Sequence, residues 1–239
     1  MTVATAGDGA DELPLQVRFV VPPAFHEIPV LGTEEQIAEG LWEMVCEVLA
    51  PESDEIRIEW AAMLIAMIPP MAEAGVMYAG LCLLDVDGRP STANVLMTMN
   101  PLDGIRYEEA VEVTLRDLAQ GHPEAEVTEI ELPAGRAAVM IGGAVTPVTG
   151  RQAAAADATV STSVIQVYLP LPDEQRMLTM ELSTPCAEDW DLYSAVFADI
   201  VRSIHLEFAA VETGPALLPE QRAYLPDGET RARIAAAFG

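Results

Sequence analysis

Three histidines, His26, His122 and His205, are the side chains best suited to proton transfer near neutral pH. His26 sits beside Glu27 in a proline-bounded loop, His122 follows a helix stop before Pro123, and His205 comes just after a helical run. Each reads as a surface or capping residue. No G-x-S-x-G nucleophile turn, phosphate-cradling P-loop or H-E-x-x-H zinc helix accompanies them. The carboxylate pairs Glu34-Glu35 and Glu108-Glu109 fall at helix beginnings, where the helix dipole accounts for them. A glycosidase-like acid pair would have to come together from distant positions. Asp85-Val86-Asp87-Gly88 opens like a calcium loop but lacks the later oxygen ligands and the closing glutamate, so a hairpin turn is expected. Gly142-Gly143 to Gly150 follows a strand without the lysine and hydroxyl that hold phosphate. Cys46, Cys82 and Cys186 are odd in number, far apart and never in a C-x-x-C pair, which suits reduced core thiols. The expectation is therefore no catalytic residue, no metal ligand and no cofactor site.

One pattern does suggest binding. Met63, Met67 and Met71 recur every four residues on one helix, with Met44, Met77, Met97 and Met99 in neighbouring elements of a chain holding 11 methionines. Unbranched, polarisable side chains let an apolar surface repack around dissimilar guests. The same spacing also suits a helix whose methionines fill gaps against a sheet, so core and groove both stand as readings.

The elements that would position these residues follow from periodicity. Leu15 to Val21 alternates as a strand with one buried face, and Pro22-Pro23 stops it. Thr33 and Gln36 form a capping-box signature ahead of Ile37, Leu41, Val45 and Val48, a helix ending at Pro51. Ser53 opens a second helix carrying Ile56, Trp60, Met63, Leu64 and Met67, expected to end at Pro69-Pro70. Val76 to Leu84 and Ala93 to Met99 form a hairpin about Asp87-Gly88. A third helix runs from about Arg106 to Gln120, and strands follow at Ala125 to Leu132 and Arg136 to Ile141, about the turn Pro133-Ala134-Gly135. Gly142 to Asp157 has no period and reads as a loop. Strands Thr159 to Leu169 and Met177 to Ser183 join through Pro170-Leu171-Pro172-Asp173, and Thr184-Pro185 caps a last helix through Leu192, Val196 and Ile200 to Ser203.

Short turns between adjacent strands predict an α+β fold: an antiparallel sheet with helices packed on its faces. Residues 1–14 are expected to be disordered, 15–208 to form a single α+β domain, and 209–239 to be a loosely attached C-terminal tail. With 239 residues, 51% of them hydrophobic, the chain can enclose a core without metal or disulfide.

Asp and Glu number 38 against 12 basic residues, all arginine, a formal net charge of −26. Such a field repels phosphate backbones and anionic headgroups, so no nucleic acid and no membrane is expected among the ligands. Absence of lysine with abundant Ala, Val, Gly and Arg matches the codon bias of a GC-rich genome. Trp60 to Leu84 carries one charge, Glu73, yet Pro69, Pro70 and Gly75 cut it into pieces too short to span a bilayer. The opening residues have no basic group followed by an apolar run, so a cytoplasmic location is expected.

From Met177 to Phe208 the run MLTMELSTPCAEDWDLYSAVFADIVRSIHLEF resembles the C-terminal strand and helix of the Mog1/PsbP-like group, whose strand ends in "STP" and whose helix closes with "I..SI.F". Those positions here are Ser183, Thr184 and Pro185, then Ile200, Ser203 and Ile204. The group includes a small-GTPase regulator, a photosystem extrinsic subunit, mycobacterial lipoproteins and secretion chaperones. The resemblance implies a Mog1/PsbP-like α/β sandwich acting as a non-enzymatic binding module. This chain departs from the group in its opening residues, in the extra helix before the hairpin and in the Gly142 to Asp157 excursion. The favoured expectation is an adaptor or chaperone-like protein that engages another protein, one with a basic or hydrophobic segment, through an apolar surface around Met63, Met67 and Met71 with an acidic rim. A small-molecule or lipid-binding cup and an enzyme with a dispersed acidic site are the alternatives.

Overall fold

A computed structural model describes residues 2–4, 15–147, 159–172 and 176–208 of the chain. In chain order the elements are β1 (Thr2–Ala4), β2 (Leu15–Arg18), β3 (Phe25–Ile28), α1 (Glu34–Val48), α2 (Asp54–Glu73), β4 (Val76–Val86), β5 (Arg89–Pro101) and α3 (Tyr107–Gly121). There follow β6 (Glu126–Leu132), β7 (Gly135–Pro147), β8 (Thr159–Leu171), β9 (Arg176–Thr184), a 3₁₀ turn (Ala187–Asp189), α4 (Trp190–Arg202) and β10 (His205–Phe208). Seven strands form an antiparallel sheet in the order β3-β4-β5-β9-β8-β7-β6, and β1-β2-β10 form a second, antiparallel one. The fold is α+β, with helices on both faces of the large sheet.

Strand alternation sorts the core into two sides. Tyr78, Cys82, Val95, Met97, Met180 and Leu182 point toward α4, whose Tyr193, Val196, Phe197 and Ile200 complete the larger cluster together with β2. On the opposite face Ala79 and Leu81 meet Leu41, Val45, Ala61 and Leu64 of α1 and α2. A third, smaller cluster, Leu102, Ala110 and Met177, lies under the start of α3. On this face α1 touches β3, α2 touches β4, and α3 lies over β6, β7 and β8.

Local chemistry explains where several expectations fail. Helix α2 runs through Pro69 and Pro70 to Glu73 instead of ending there. Those prolines free the carbonyls of Ile65 and Ala66, and both residues are exposed, so the loss of these bonds is not a burial of unpaired groups. The helix stops at Gly75, whose φ of +72° sets the turn into β4 and whose carbonyl accepts from Met99 N at 3.0 Å. Phe25–Ile28, read as a loop, is an edge strand paired with β4. It escapes the period-two pattern because Phe25 belongs to the α4-side cluster and Ile28 to the α1/α2 cluster. Within the expected loop after Ile141, Gly142 to Pro147 continue β7 and pair with Thr159 to Val164. Gly143, Ala144 and Val145 are exposed there, so ladder hydrogen bonds rather than burial define the strand. The remainder of that loop, the proposed tail 209–239 and residues 5–14 lie outside the described residues, while Thr2–Ala4 pair with β2 instead of fraying.

Thr184 does not cap the last helix. It is the end of β9, its hydroxyl donating to Thr92 O at 2.6 Å and accepting from Cys186 N at 3.0 Å, and α4 begins only after the 3₁₀ turn. His205 likewise opens β10, which pairs with β2. Among the positions that carry the family resemblance, Thr184, Ile200, Ser203 and Ile204 are all buried. Ser203 ties two elements together, its hydroxyl donating to Ile200 O at 2.6 Å and accepting from Val20 N at 2.8 Å.

Candidate functional site

Helix α2 carries apolar residues on more than one side, yet only Ala61 and Leu64 are fully buried, with Trp60, Ile68 and Met71 packed partly behind them. Met63 is 42% exposed and Met67 43%, and Ile56, Ile58 and Ile65 are exposed as well. Each step of four residues advances about 40° around an α-helix. Met71 therefore rolls toward the sheet while Met63 and Met67 stay outside. The stripe expected from sequence is thus split by helical drift, and Ile56, Met63 and Met67, read as packing positions, face out. Ile58 and Ile65 lie on the opposite flank of the helix, about half a turn away. The other methionines do not join this surface: Met97, Met77 and Met99 pack on the α4 side, and Met44 is on the buried side of α1.

Between the apolar flanks of α2 stand Glu55, Glu59 and Glu73, all exposed, and none forms an ion pair among the described residues. Neighbouring α1 carries Glu35, Glu39, Glu43 and Glu47 four residues apart and no basic residue. Like charges at that spacing each cost an isolated helix about 0.2–0.5 kcal/mol. His26 reaches toward this stripe, its Nδ1 4.0 Å from Glu47 Oε1. The α1–α2 pair therefore offers solvent two apolar flanks of α2 with acids between them, beside the acidic stripe of α1.

A second cluster brings an acid and hydroxyls together. Ser91 Oγ donates to Asp189 Oδ2 at 2.5 Å and lies 2.8 Å from Tyr193 OH, while Arg89 Nη2 donates to Asp189 Oδ1 at 2.8 Å. Arg89 Nη1 also lies 2.9 Å from Glu188. The hydrogen bond from Arg89 holds the Asp189 carboxyl below its usual range against the opposing effect of burial, and Ser91 adds to it. Burial pushes the Tyr193 phenol up. Ser91 is 0% exposed and Asp189 7%, so substrate has no route to either. The cluster fastens the β4–β5 hairpin to the start of α4, and Asp189 makes no side-chain cap to that helix because its oxygens are held elsewhere.

The third feature lies on the α1/α2/α3 face, where β5, β9 and β8 present a half-buried polar row. Leu96, Glu181, Gln166 and Met140 are aligned across it by strand register. Tyr168 OH donates to Gln166 Oε1 at 2.6 Å, and Gln166 Nε2 donates to Glu181. Burial, helped by Glu181, raises the Tyr168 phenol above its usual range, keeping it protonated. Beside Tyr168 an open cleft of about 430 Å³ runs toward α3, its polar lining including Asn100, Asp103, Asp117, His122 and Thr179. His122, expected at a helix end, is the C-cap of α3 and also edges this cleft. His26 and His205 sit on β3 and β10, away from it. The reversal at Pro170-Leu171-Pro172-Asp173 indicates that β8 pairs with β9, as it does, but not the register that sets Gln166 opposite Glu181.

No group of three or more His, Cys, Asp or Glu side chains is arranged to hold a metal ion among the described residues. No helix there is long and apolar enough to cross a membrane. No family model matches the chain. No curated protein matches it either. Among solved structures, the chain is similar to the crystal structure of LpqN, involved in cell envelope biogenesis of Mycobacterium tuberculosis, with 9% identity and a TM-score of 0.42 over 86% of this chain and 90% of that one.

Proposed function

We propose that this protein is a non-catalytic, cytoplasmic adaptor or chaperone-like module that engages another polypeptide through the outer surface of α2. The observation that carries this reading is the exposure of Ile56, Ile58, Met63, Ile65 and Met67 on one helix. Ile56, Met63 and Met67 form one apolar flank bordered by Glu55, Glu59 and Glu73, and an exposed apolar patch bordered by charge is the pattern of a docking site. The acidic rim of Glu55, Glu59 and Glu73, in a chain of net charge −26, selects a partner segment that is basic as well as apolar and disfavours nucleic acid and anionic membranes. The resemblance of residues 177–208 to the Mog1/PsbP-like group points the same way. Co-purification from native extract tests it: the wild type should retain a defined partner that the M63E/M67E variant loses. Equal retention by both would refute the reading.

A second reading rests on the cleft between Tyr168 and α3, whose volume falls in the range of small-molecule sites. Native mass spectrometry that finds a retained non-peptide ligand, lost in the T179W variant, would favour it.

A further inference from the structure

Hydrogen bonds along the sheet decide what the cleft beside Tyr168 can offer a guest. Glu181 is a half-buried carboxylate and can only accept. Gln166 therefore turns its amide nitrogen to Glu181 and its carbonyl to Tyr168, whose hydroxyl hydrogen is spent on that bond at 2.6 Å. Tyr168 lines the cleft and has only lone pairs left to present there. Asp103 and Asp117 add carboxylates to the lining, and no arginine lines it in a chain without lysine. Arg116 lies 3.0 Å from Asp117, whereas Asp103 forms no ion pair among the described residues. Asn100 points its amide nitrogen at Thr98 Oγ1, 3.5 Å away, and Thr114, Thr179 and His122 accept as readily as they donate. The lining is thus rich in acceptors and poor in donors. Its floor is apolar, with Leu102 and Met177 buried and Ile105 and Tyr168 packed on them.

We infer that this cleft takes a small organic cation, an alkyl or aryl amine whose ammonium group donates to the acceptors of the lining, Asp103 foremost, and whose apolar body rests on Leu102, Ile105 and Met177. An ammonium brings hydrogens and a positive charge, the two things the lining lacks. A carboxylate or phosphate ligand would meet two acids, with the nearby Arg116 already on Asp117. A neutral ligand of the same shape keeps the apolar contact and forgoes the charge. The volume of about 430 Å³ admits a two-ring amine. The inference rests on the small-molecule reading of the cleft and names the class of ligand. A net charge of −26 gathers cations over the whole surface, so position has to be read together with affinity.

Tryptamine, tryptophol and indole-3-acetate share one ring body and carry a positive, no and a negative charge at neutral pH. Each is titrated into the full-length chain at about 0.15 M salt, which screens long-range attraction to the acidic surface beyond about 8 Å. Backbone amide shifts report both affinity and position. Tryptamine should shift the amides of Leu102, Leu118 and Thr179 with a dissociation constant at least about fivefold below that of tryptophol, the factor one contact between unit charges supplies even in water. Indole-3-acetate should shift none of them. D103N/D117N should bring tryptamine down to the affinity of tryptophol; asparagine accepts the left-handed φ of +46° at Asp103 as aspartate does, so the turn survives. E55Q/E59Q removes two charges from α2 and should leave the affinity unchanged. Equal binding of tryptamine and tryptophol would overturn the cation assignment and leave the small-molecule reading standing. Tryptamine shifts spread over α1 and α2 instead of the cleft, or insensitive to D103N/D117N, would overturn it as well. So would an absence of shifts at these amides with all three probes; if native mass spectrometry then also retains no ligand, the small-molecule reading falls with it.

Discussion

Replacing Asp189 with asparagine perturbs a buried charge while leaving its shape in place. The carboxylate accepts from Ser91 Oγ at 2.5 Å and from Arg89 Nη2 at 2.8 Å. Asparagine keeps one acceptor and sets an N–H₂ group against the other donor, so one charge-assisted bond is lost at about 1.5–3 kcal/mol. Arg89 is 40% exposed and can turn to water, whereas Ser91 cannot, so the Ser91 half dominates and the expected loss is about 2 kcal/mol. For a domain of this length that is a fall in Tm of about 4–8 °C. The pH dependence follows from the lowered pKa of Asp189. A carboxyl titrating lower in the folded than in the unfolded chain contributes stability that is fully present above its unfolded pKa of about 3.9 and is lost as pH falls through the folded value. The gap between wild type and D189N should be full at pH 7 and shrink below pH 4 as the wild-type side chain becomes neutral. Urea unfolding followed by tryptophan fluorescence, with Trp190 next in sequence, measures both. Equal stability at pH 7, or a gap that persists undiminished at pH 3, would refute the account of this cluster.

Other consequences are open to direct measurement. Phe197→Ala removes a ring that is 0% exposed between α4 and the sheet and should cost about 3–5 kcal/mol in chemical denaturation. Thr33→Ala breaks the capping box in which Thr33 Oγ1 accepts from Gln36 N at 3.3 Å and Gln36 Oε1 accepts from Thr33 N at 3.0 Å; a loss of about 1 kcal/mol is expected in the same assay. Burial pushes the Cys82 thiol up to about 12, so iodoacetamide at pH 8 should label Cys46 and Cys186 well before Cys82, which is labelled only on unfolding. The M63E/M67E variant should cost no more than about 1 kcal/mol, since both side chains are partly exposed and the new carboxylates add two like-charge pairs at four-residue spacing after Glu59, while losing the partner.

Much of the architecture was legible because single faces were buried. The alternation Leu178, Met180, Leu182 and the helical spacing Leu192, Val196, Ile200 place those side chains in one cluster, as their periods require. Elements that divide their side chains between clusters, such as β3, or that face water on both sides, such as the far end of β7, carry no such signature. Pro69 and Pro70 misled for a related reason: a breaker is decisive only where the freed carbonyls are buried, and burial is a tertiary fact. The methionine spacing was plain in the chain, but its meaning depended on how far round the helix the sheet would reach. The polar row of Glu181, Gln166 and Tyr168 needed the register of the β8–β9 pair, which the turn residues between them do not supply.

The small sheet has a mechanical consequence. Its middle strand, β2, is flanked by β1 and β10. Thr2 lies across from Arg18 and Phe208 across from Leu15, so the first and last described residues leave this sheet at opposite ends of β2. A tensile load applied at those two points would drag β1 and β10 in opposite directions along β2, so that the rungs share the force in shear instead of opening one after another.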